Sequence, residues 1–255
     1  MRPIIYYPFP RPLPYGPTLA LQQRIHELQL QQRRASPGSH DDILLLLEHR
    51  PVYTTGRRQM EADVGEDSDR LRNLGADFAV TKRGGQTTYH GPGQLVGYPL
   101  FDLARIRLSI AGYMAKIQGM LKLHMLKHHQ IRAIDSDNTG VFSTPSVKLG
   151  SIGVQVRHRL TSHGFAYNVS REPLRWFDEV VACDLADVKA GCIADAGGRE
   201  VSVKDDVEPL LSSVSQTFER DMLKLDTTRD GELERAVTEL EAKAKESGSW
   251  LLIPK

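Results

Sequence analysis

Between two stretches that read as strands, Asp77 to Lys82 and Leu95 to Leu100, the dozen residues from Arg83 to Gln94 hold five glycines or prolines. A run of that kind continues neither a helix nor a strand. It is a loop, and it fixes the elements on either side as separate pieces. Around it the apolar pattern changes period repeatedly. Residues 18–34 carry Leu21, Ile25 and Leu28 at helical spacing. Ile43 to Leu47 is a continuous apolar run of strand length, stopped by Arg50-Pro51, and Val52 to Thr55 resumes an extended piece. Residues 60–75 are polar and predict a loop with a short helix. Residues 109–126 predict a helix with Ile110, Met114, Ile117, Leu121 and Met125 on one apolar face. Asn138 to Phe142, Val147 to Arg157 and Leu160 to Val169 read as strands. The middle one loses phase at Gly150-Ser151, which predicts a bulge or a close backbone approach. Val207 to Met222 predicts a second helix, with Val207, Leu210, Leu211, Val214, Phe218 and Met222 on one face. This interleaving predicts an α+β or α/β domain built on a mixed sheet flanked by helices.

A chain of 255 residues suits one domain with appendages. Residues 1–225 are read as the catalytic unit, opening with a proline-rich arm over 1–17. Residues 226–255 are read as a charged extension whose helix, over 229–247, is solvated. A net charge of +1 gives no basis for binding nucleic acid. The longest apolar run, Ile43 to Leu47, is too short to cross a membrane. Two cysteines, Cys183 and Cys192, make no disulfide scaffold. No acidic residue precedes Glu27, whereas Arg2, Arg11 and Arg24 do, a bias that fits a mitochondrial transit segment. The prolines at 3, 8, 10, 12, 14 and 17 oppose the amphipathic helix such segments form, and a cytoplasmic protein is the other reading. A monomer is expected.

The loop is also the densest chemical signal. Gly84-Gly85 exposes backbone N–H groups and lets a ligand come close. Arg83 adds a permanent charge, Tyr89-His90 an aromatic face and a titratable ring, and Gly91-Pro92-Gly93 a turn. The glycine spacing matches neither a dinucleotide fingerprint nor a P-loop. His124 and His128 stand at i, i+4 on a helix, but no third ligand is spaced to join them, so no metal is expected.

The run Arg83 to Pro99 resembles the signature of the lipoate-protein ligase B family, the octanoyl-carrier-protein:protein octanoyltransferases. Leu45 to Arg57, Lys148 to Val154 and Ser162 to Val169 resemble further family segments in the same order. The resemblance covers about residues 15–225 and implies the fold shared with biotin protein ligases and lipoate ligases. It implies transfer of octanoyl from acyl carrier protein to a lysine of lipoyl domains, in 2-oxoacid dehydrogenase E2 subunits or the glycine cleavage H protein. Cys183 matches the family's nucleophile and Lys148 its acid–base partner. Arg83, Gly84, Gly85, Tyr89, His90, Gly150, Ser151, Ile152, Gly153, His163, Gly164 and Ala166 match its substrate-binding positions, with His90 and His163 in supporting or oxyanion-binding roles. Two departures stand at the nucleophile turn, Ala182 for proline and Asp184 for glycine.

The chemistry suits those residue types. A thiolate attacks a thioester in a step near energetic balance, and amine attack on the acyl-enzyme is then downhill. The thiolate needs a nearby cation, the role expected of protonated Lys148, and a lysine pointing inward would be desolvated enough to shuttle protons. The thioester arrives activated, so no cofactor is expected. An ATP-dependent ligase of the same fold and a non-catalytic carrier-binding module are the alternatives. Cys192 reads as structural, or as a neighbour of the acyl site. Arg57, Arg58, Lys82 and Arg83 are the expected basic rim for the acidic carrier.

Overall fold

The computed structural model describes residues 2–36, 38–57, 65–180 and 187–248. In chain order the strands are β1 (Ile4–Pro8), β2 (Asp42–Leu47), β3 (Val52–Thr55), β4 (Asp77–Val80), β5 (Thr88–His90), β6 (Gln94–Leu100), β7 (Val141–Thr144), β8 (Val147–Arg157), β9 (Leu160–Asn168), β10 (Lys189–Ala190) and β11 (Met222–Lys224). The helices are α1 (Tyr15–Ala35), α2 (Gly65–Asn73), α3 (Ile110–His129), α4 (Leu174–Phe177), α5 (Ile193–Gly197), α6 (Val203–Phe218) and α7 (Glu232–Glu246). The larger sheet runs β10-β8-β9-β6-β2-β1-β11, with β7 also on β8, and the smaller runs β4-β3-β5. Both are mixed, as expected: β1 pairs parallel with β2 and β11, whereas β2–β6, β6–β9 and β8–β9 are antiparallel.

β2 shows why its sequence is continuously apolar. Leu44 and Leu46 enter one core with α3 and α6, while Ile43, Leu45 and Leu47 enter another with α1 and α7. A strand covered on both faces has no polar side to display. Burying each such side chain stabilises the fold by about 1.5–3 kcal/mol.

Several expectations need correction. Residues 1–17 are not a free arm: Ile4 is buried and β1 is hydrogen-bonded on both edges. The acid-poor N-terminus thus holds a strand at Ile4–Pro8 and the start of α1 from Tyr15. The helix α7 is present, but Ala236, Val237 and Leu240 are buried with Leu21 and Ile25 of α1, so it is solvated on one side only. In α3 the buried face is Tyr113, Ile117, Met120, Leu121, His124 and Met125, and Ile110 is exposed at the N-terminal end. The α6 helix stops at Phe218 with Glu219 in the left-handed conformation, and Met222 belongs to β11. The break expected at Gly150 is present: against β7, Val141 pairs with Gly150 but Phe142 with Lys148, while β8 pairs with β9 without a break from Gly150 to Arg157. Finally, Arg83 to Gln94 is not all loop, since Thr88–His90 form β5 between β4 and β6. Those two strands lie in different sheets, and Arg83 to Gln94 carries the chain from one to the other through β5.

Candidate active site

The crossover between sheets opens a cavity of about 530 Å³. One wall is the loop after β4, at Arg83, Gly84 and Gly85; the opposite wall is β8 and β9, at Ser151, Ile152, Gly153, His163, Gly164 and Ala166. Gly84 N–H donates to the Val154 carbonyl at 3.0 Å, which ties the loop to β8. The expected binding segments thus converge although 60 or more residues separate them in sequence, from Gly85 to Ser151 for example.

Arg83 shapes this wall from inside. It is buried, and its guanidinium donates to the Thr54 carbonyl at 2.6 Å, to Thr54 Oγ1 at 2.9 Å and to the Gln86 carbonyl at 2.7 Å. A guanidinium bound this way is a strut for the loop rather than a docking charge. The expected basic rim therefore loses Arg83. Arg57 and Lys82 are exposed, and Arg58 lies outside the described residues.

Gly56, at the end of β3, is where the loop comes nearest. A Cβ there would fall on the Gly85 carbonyl and stand 3.2 Å from the Arg83 guanidinium. Backbone cannot yield as a flexible side chain does. Gly56→Ala is expected to displace the Gly84-Gly85 wall, lower stability by about 1–3 kcal/mol and weaken acyl-donor binding. Thermal denaturation and the donor KM check it, and an unchanged KM counts against the wall.

Lys148 lies near the start of β8, half-buried, on the same cavity. Its Nζ is 5.5 Å from the Phe142 ring centroid. Beside its stem is Gly140 at φ +139, where a Cβ would stand 2.6 Å from Lys148 Cε and 2.6 Å from the Gly150 carbonyl. The glycine leaves room for the lysine to extend along the cavity. Lys148 and Gly150 also line a smaller recess of about 30 Å³, with Phe177, Lys189 and Ala190. Cys183, Ala182 and Asp184 lie outside the described residues.

Neutral histidines lie at the cavity, His90 and His163 on its lining and His49 buried behind them. His49 Nδ1 donates to the Leu13 carbonyl at 3.1 Å, so its Nε2 accepts from Tyr98 OH at 2.7 Å. Burial pulls His49 down to about 4. Burial, then Arg83, then His49 pull His163 down to about 4. Burial, His49 and Arg83 hold His90 well below the ordinary histidine range. At neutral pH all three are uncharged. His163 sits at φ +58, and its backbone N–H donates to Gln22 Oε1 of α1 at 2.8 Å. Left-handed backbone at a branched-ring residue is strained and needs such support.

One expected role falls elsewhere. Tyr89 is fully buried away from the cavity, stacked on Trp176 at 5.2 Å and 7°. It is core for the small sheet. Cys192 is buried at the start of α5, and burial raises its thiol to about 11, as a structural cysteine should behave. The sequence reading missed Tyr15, Tyr98, Met114 and Phe165, which give the cavity its aromatic and apolar lining.

A third cluster lies between α3 and α6. Asp206 accepts from His124 Nε2 at 3.1 Å, His129 Nε2 at 2.9 Å and Tyr167 OH at 2.7 Å, all buried. The donors suit a metal by type, but their outer contacts do not. A metal-bound imidazole donates its other N–H to an acceptor. His129 Nδ1 instead faces the Arg199 guanidinium, a donor, at 3.5 Å, and His124 Nδ1 has no partner among the described residues. The geometry describes two Nε2–H tautomers hydrogen-bonded to a carboxylate. The i, i+4 pair does not form this cluster, since His129, not His128, is the partner.

Comparison with known proteins adds the context. The lipoyl protein ligase A/B catalytic domain family matches residues 14–215. The chain is 34% identical over 195 residues to an octanoyl-acyl-carrier-protein:protein N-octanoyltransferase of Danio rerio named as mitochondrial, covering 76% of this chain and 85% of that one. It is 34% identical over 190 residues to an octanoyltransferase of Desulfotalea psychrophila, covering 73% and 83%. A lipoate protein ligase of T. acidophilum with bound lipoic acid superposes with a TM-score of 0.65 over 95% of both chains at 15% identity, a likeness of fold.

Proposed function

The chain belongs to the lipoyl protein ligase A/B catalytic domain family and is an octanoyltransferase, and we propose that it passes octanoyl from the thioester of acyl carrier protein to a lipoyl-domain lysine through an acyl thioester on Cys183. The observation that carries this reading is the register at β10. Lys189 pairs with Val147 and Ala190 with Lys148, and Gly191 N–H donates to the Lys148 carbonyl at 2.9 Å. Cys183 lies six residues before Lys189, a tether of at most about 20 Å. On its other side Phe177 lines the recess that Lys148 lines. Both ends of the cysteine segment thus lead to the lysine.

In the first step the Cys183 thiolate attacks the donor carbonyl, the C–S bond to the carrier breaks, and protonated Lys148 gives its proton to the departing sulfur, so the carrier leaves as a thiol and Lys148 is left neutral. In the second, the acceptor amine attacks, a C–N bond forms, and sulfur departs as the thiolate. Lys148 accepts the proton the amine loses. The cavity receives the eight-carbon chain against Ile152, Phe165 and Ala166, and backbone N–H groups near Cys183 hold the oxyanion. Arg83, Gly84, Gly85, Gly153 and Gly164 shape the acyl site. The acceptors are the lipoyl domains of 2-oxoacid dehydrogenase E2 subunits or the glycine cleavage H protein. A mitochondrial compartment follows the Danio rerio relative and is tested by fractionation.

The test is intact mass. Incubated with octanoyl-carrier protein and no ATP, the wild type gains one octanoyl group, which maps to Cys183, and Cys183→Ser gains none. An unmodified wild type would reject the acyl-enzyme.

A further inference from the structure

Two buried side-chain amides on different strands, Gln94 on β6 and Asn168 on β9, join His90 to the Gly191 carbonyl in one directed chain. Asn168 Nδ2 donates to the Gly191 carbonyl at 2.9 Å, Gln94 Nε2 donates to Asn168 Oδ1 at 2.9 Å, and Gln94 Oε1 stands 2.7 Å from His90 Nδ1. The direction is fixed by its far end. A carbonyl oxygen only accepts, so Asn168 must turn its NH₂ to Gly191 and its oxygen to Gln94. Gln94 must then turn its NH₂ to Asn168, an orientation the Tyr89 carbonyl at 3.3 Å supports. Its oxygen is left facing His90, so the His90 proton is on Nδ1. Reversing Asn168 would oppose two acceptors at Gly191, and reversing Gln94 would oppose two at Asn168. The His90 Nε2 is then a bare lone pair, on a residue that lines the cavity.

The same chain holds the backbone at the lysine. Gly191, whose carbonyl receives the last bond, donates its own N–H to Lys148. Gln94 and Asn168 are nearly inaccessible, at 2% and 3%, so water cannot replace the missing bonds without opening the sheet. We propose that Gln94 and Asn168 are positioning residues for the transfer: their directed relay sets His90 as a hydrogen-bond acceptor on the cavity wall and pins the Gly191 peptide beside Lys148. His90 then cannot donate to an oxyanion through Nε2, and it meets only groups that bring an N–H, O–H or S–H.

This rests on the octanoyl-transfer reading, and the test separates the two. Long-range ¹H–¹⁵N correlation of the wild-type His90 ring is expected to show the Nδ1–H tautomer; the Nε2–H tautomer overturns the relay whatever the activity. Asn168→Asp keeps the shape but sets an oxygen against Gly191, and Gln94→Met keeps the length and removes the amide. In folded Gln94→Met the single His90 tautomer is expected to be lost; in folded Asn168→Asp it is expected to be kept, because the other carboxylate oxygen still accepts from Gln94, and only the bond to Gly191 is lost. The kcat for octanoyl transfer falls about tenfold and the KM for octanoyl-carrier protein stays within about twofold, the signature of misalignment rather than lost binding. An unchanged kcat in either folded variant overturns the positioning role. Should Asn168→Asp fail to fold, Gln94→Met gives the same kinetic readout. A wild type that transfers no octanoyl refutes the function and leaves the tautomer standing.

Discussion

Lys148→Ala is expected to slow octanoyl transfer by about a thousandfold, in the middle of the 10²–10⁴ range for a lost acid–base group, while the protein still folds. The folding half follows from the site. Lys148 is half-buried at the start of a strand, and its backbone bonds to Gly191 and to β7 do not need the ammonium group. The kinetic half follows from where the side chain runs. Gly140 leaves its stem open on one side, Phe142 sits 5.5 Å from Nζ, and the cavity begins at its tip. In the proposed mechanism the lysine acts in both steps, stabilising the thiolate and protonating the departing sulfur in the first and taking the amine proton in the second. Single-turnover measurements should therefore show both half-reactions slowed: acylation by octanoyl-carrier protein and release to the lipoyl domain. Lys148→Arg tests charge against proton transfer. Arginine keeps the cation and cannot give up its proton, so acylation should recover more than release. Turnover of Lys148→Ala equal to wild type would remove the lysine from the mechanism.

The parts of this site that could be read from the sequence are those that local pattern determines. The continuous apolar β2 reports burial on both faces, and the glycines at 84 and 85 report a close approach, because each is a property of a few adjacent residues. Tyr89 was misread for the opposite reason. Its place in a ligand-rich loop suggested the cavity, but what holds it is Trp176, 87 positions away. The strand β1 was missed because Ile4 to Pro8 shows no alternation and one of its partners, Met222, lies at the far end of the chain. Helix phase misled at His128. The turn that ends α3, with Gln130 in the left-handed conformation, presents His129 to α6 instead. The relay from His90 to Gly191 was invisible for a different cause: each of its amides is an ordinary strand residue, and the meaning lies in the direction of the bonds.

Asp206→Ala is expected to give the largest loss of stability, about 3–5 kcal/mol, the range for breaking a buried charged network from one side. Three donors, His124 Nε2, His129 Nε2 and Tyr167 OH, would lose their acceptor in a site closed to water. At about 2–4 °C per kcal/mol for a chain of this size, the melting temperature should fall by about 10 °C. Asp206→Asn separates charge from shape. Burial alone would raise the Asp206 carboxyl, but the bonds from the two histidines and the tyrosine outweigh it and hold the group well below the ordinary carboxylate range. A depressed carboxylate stabilises the fold at any pH above its unfolded value, about 3.9, and loses that contribution as pH falls further, because the unfolded chain then takes up the proton first. The stability gap between wild type and Asp206→Asn should therefore be widest near neutrality and narrow below about pH 4. Denaturant titrations at several pH values read it directly. A gap that stays constant down to pH 3 would mean that the carboxylate charge contributes nothing, and that only the shape of the side chain holds α3 to α6.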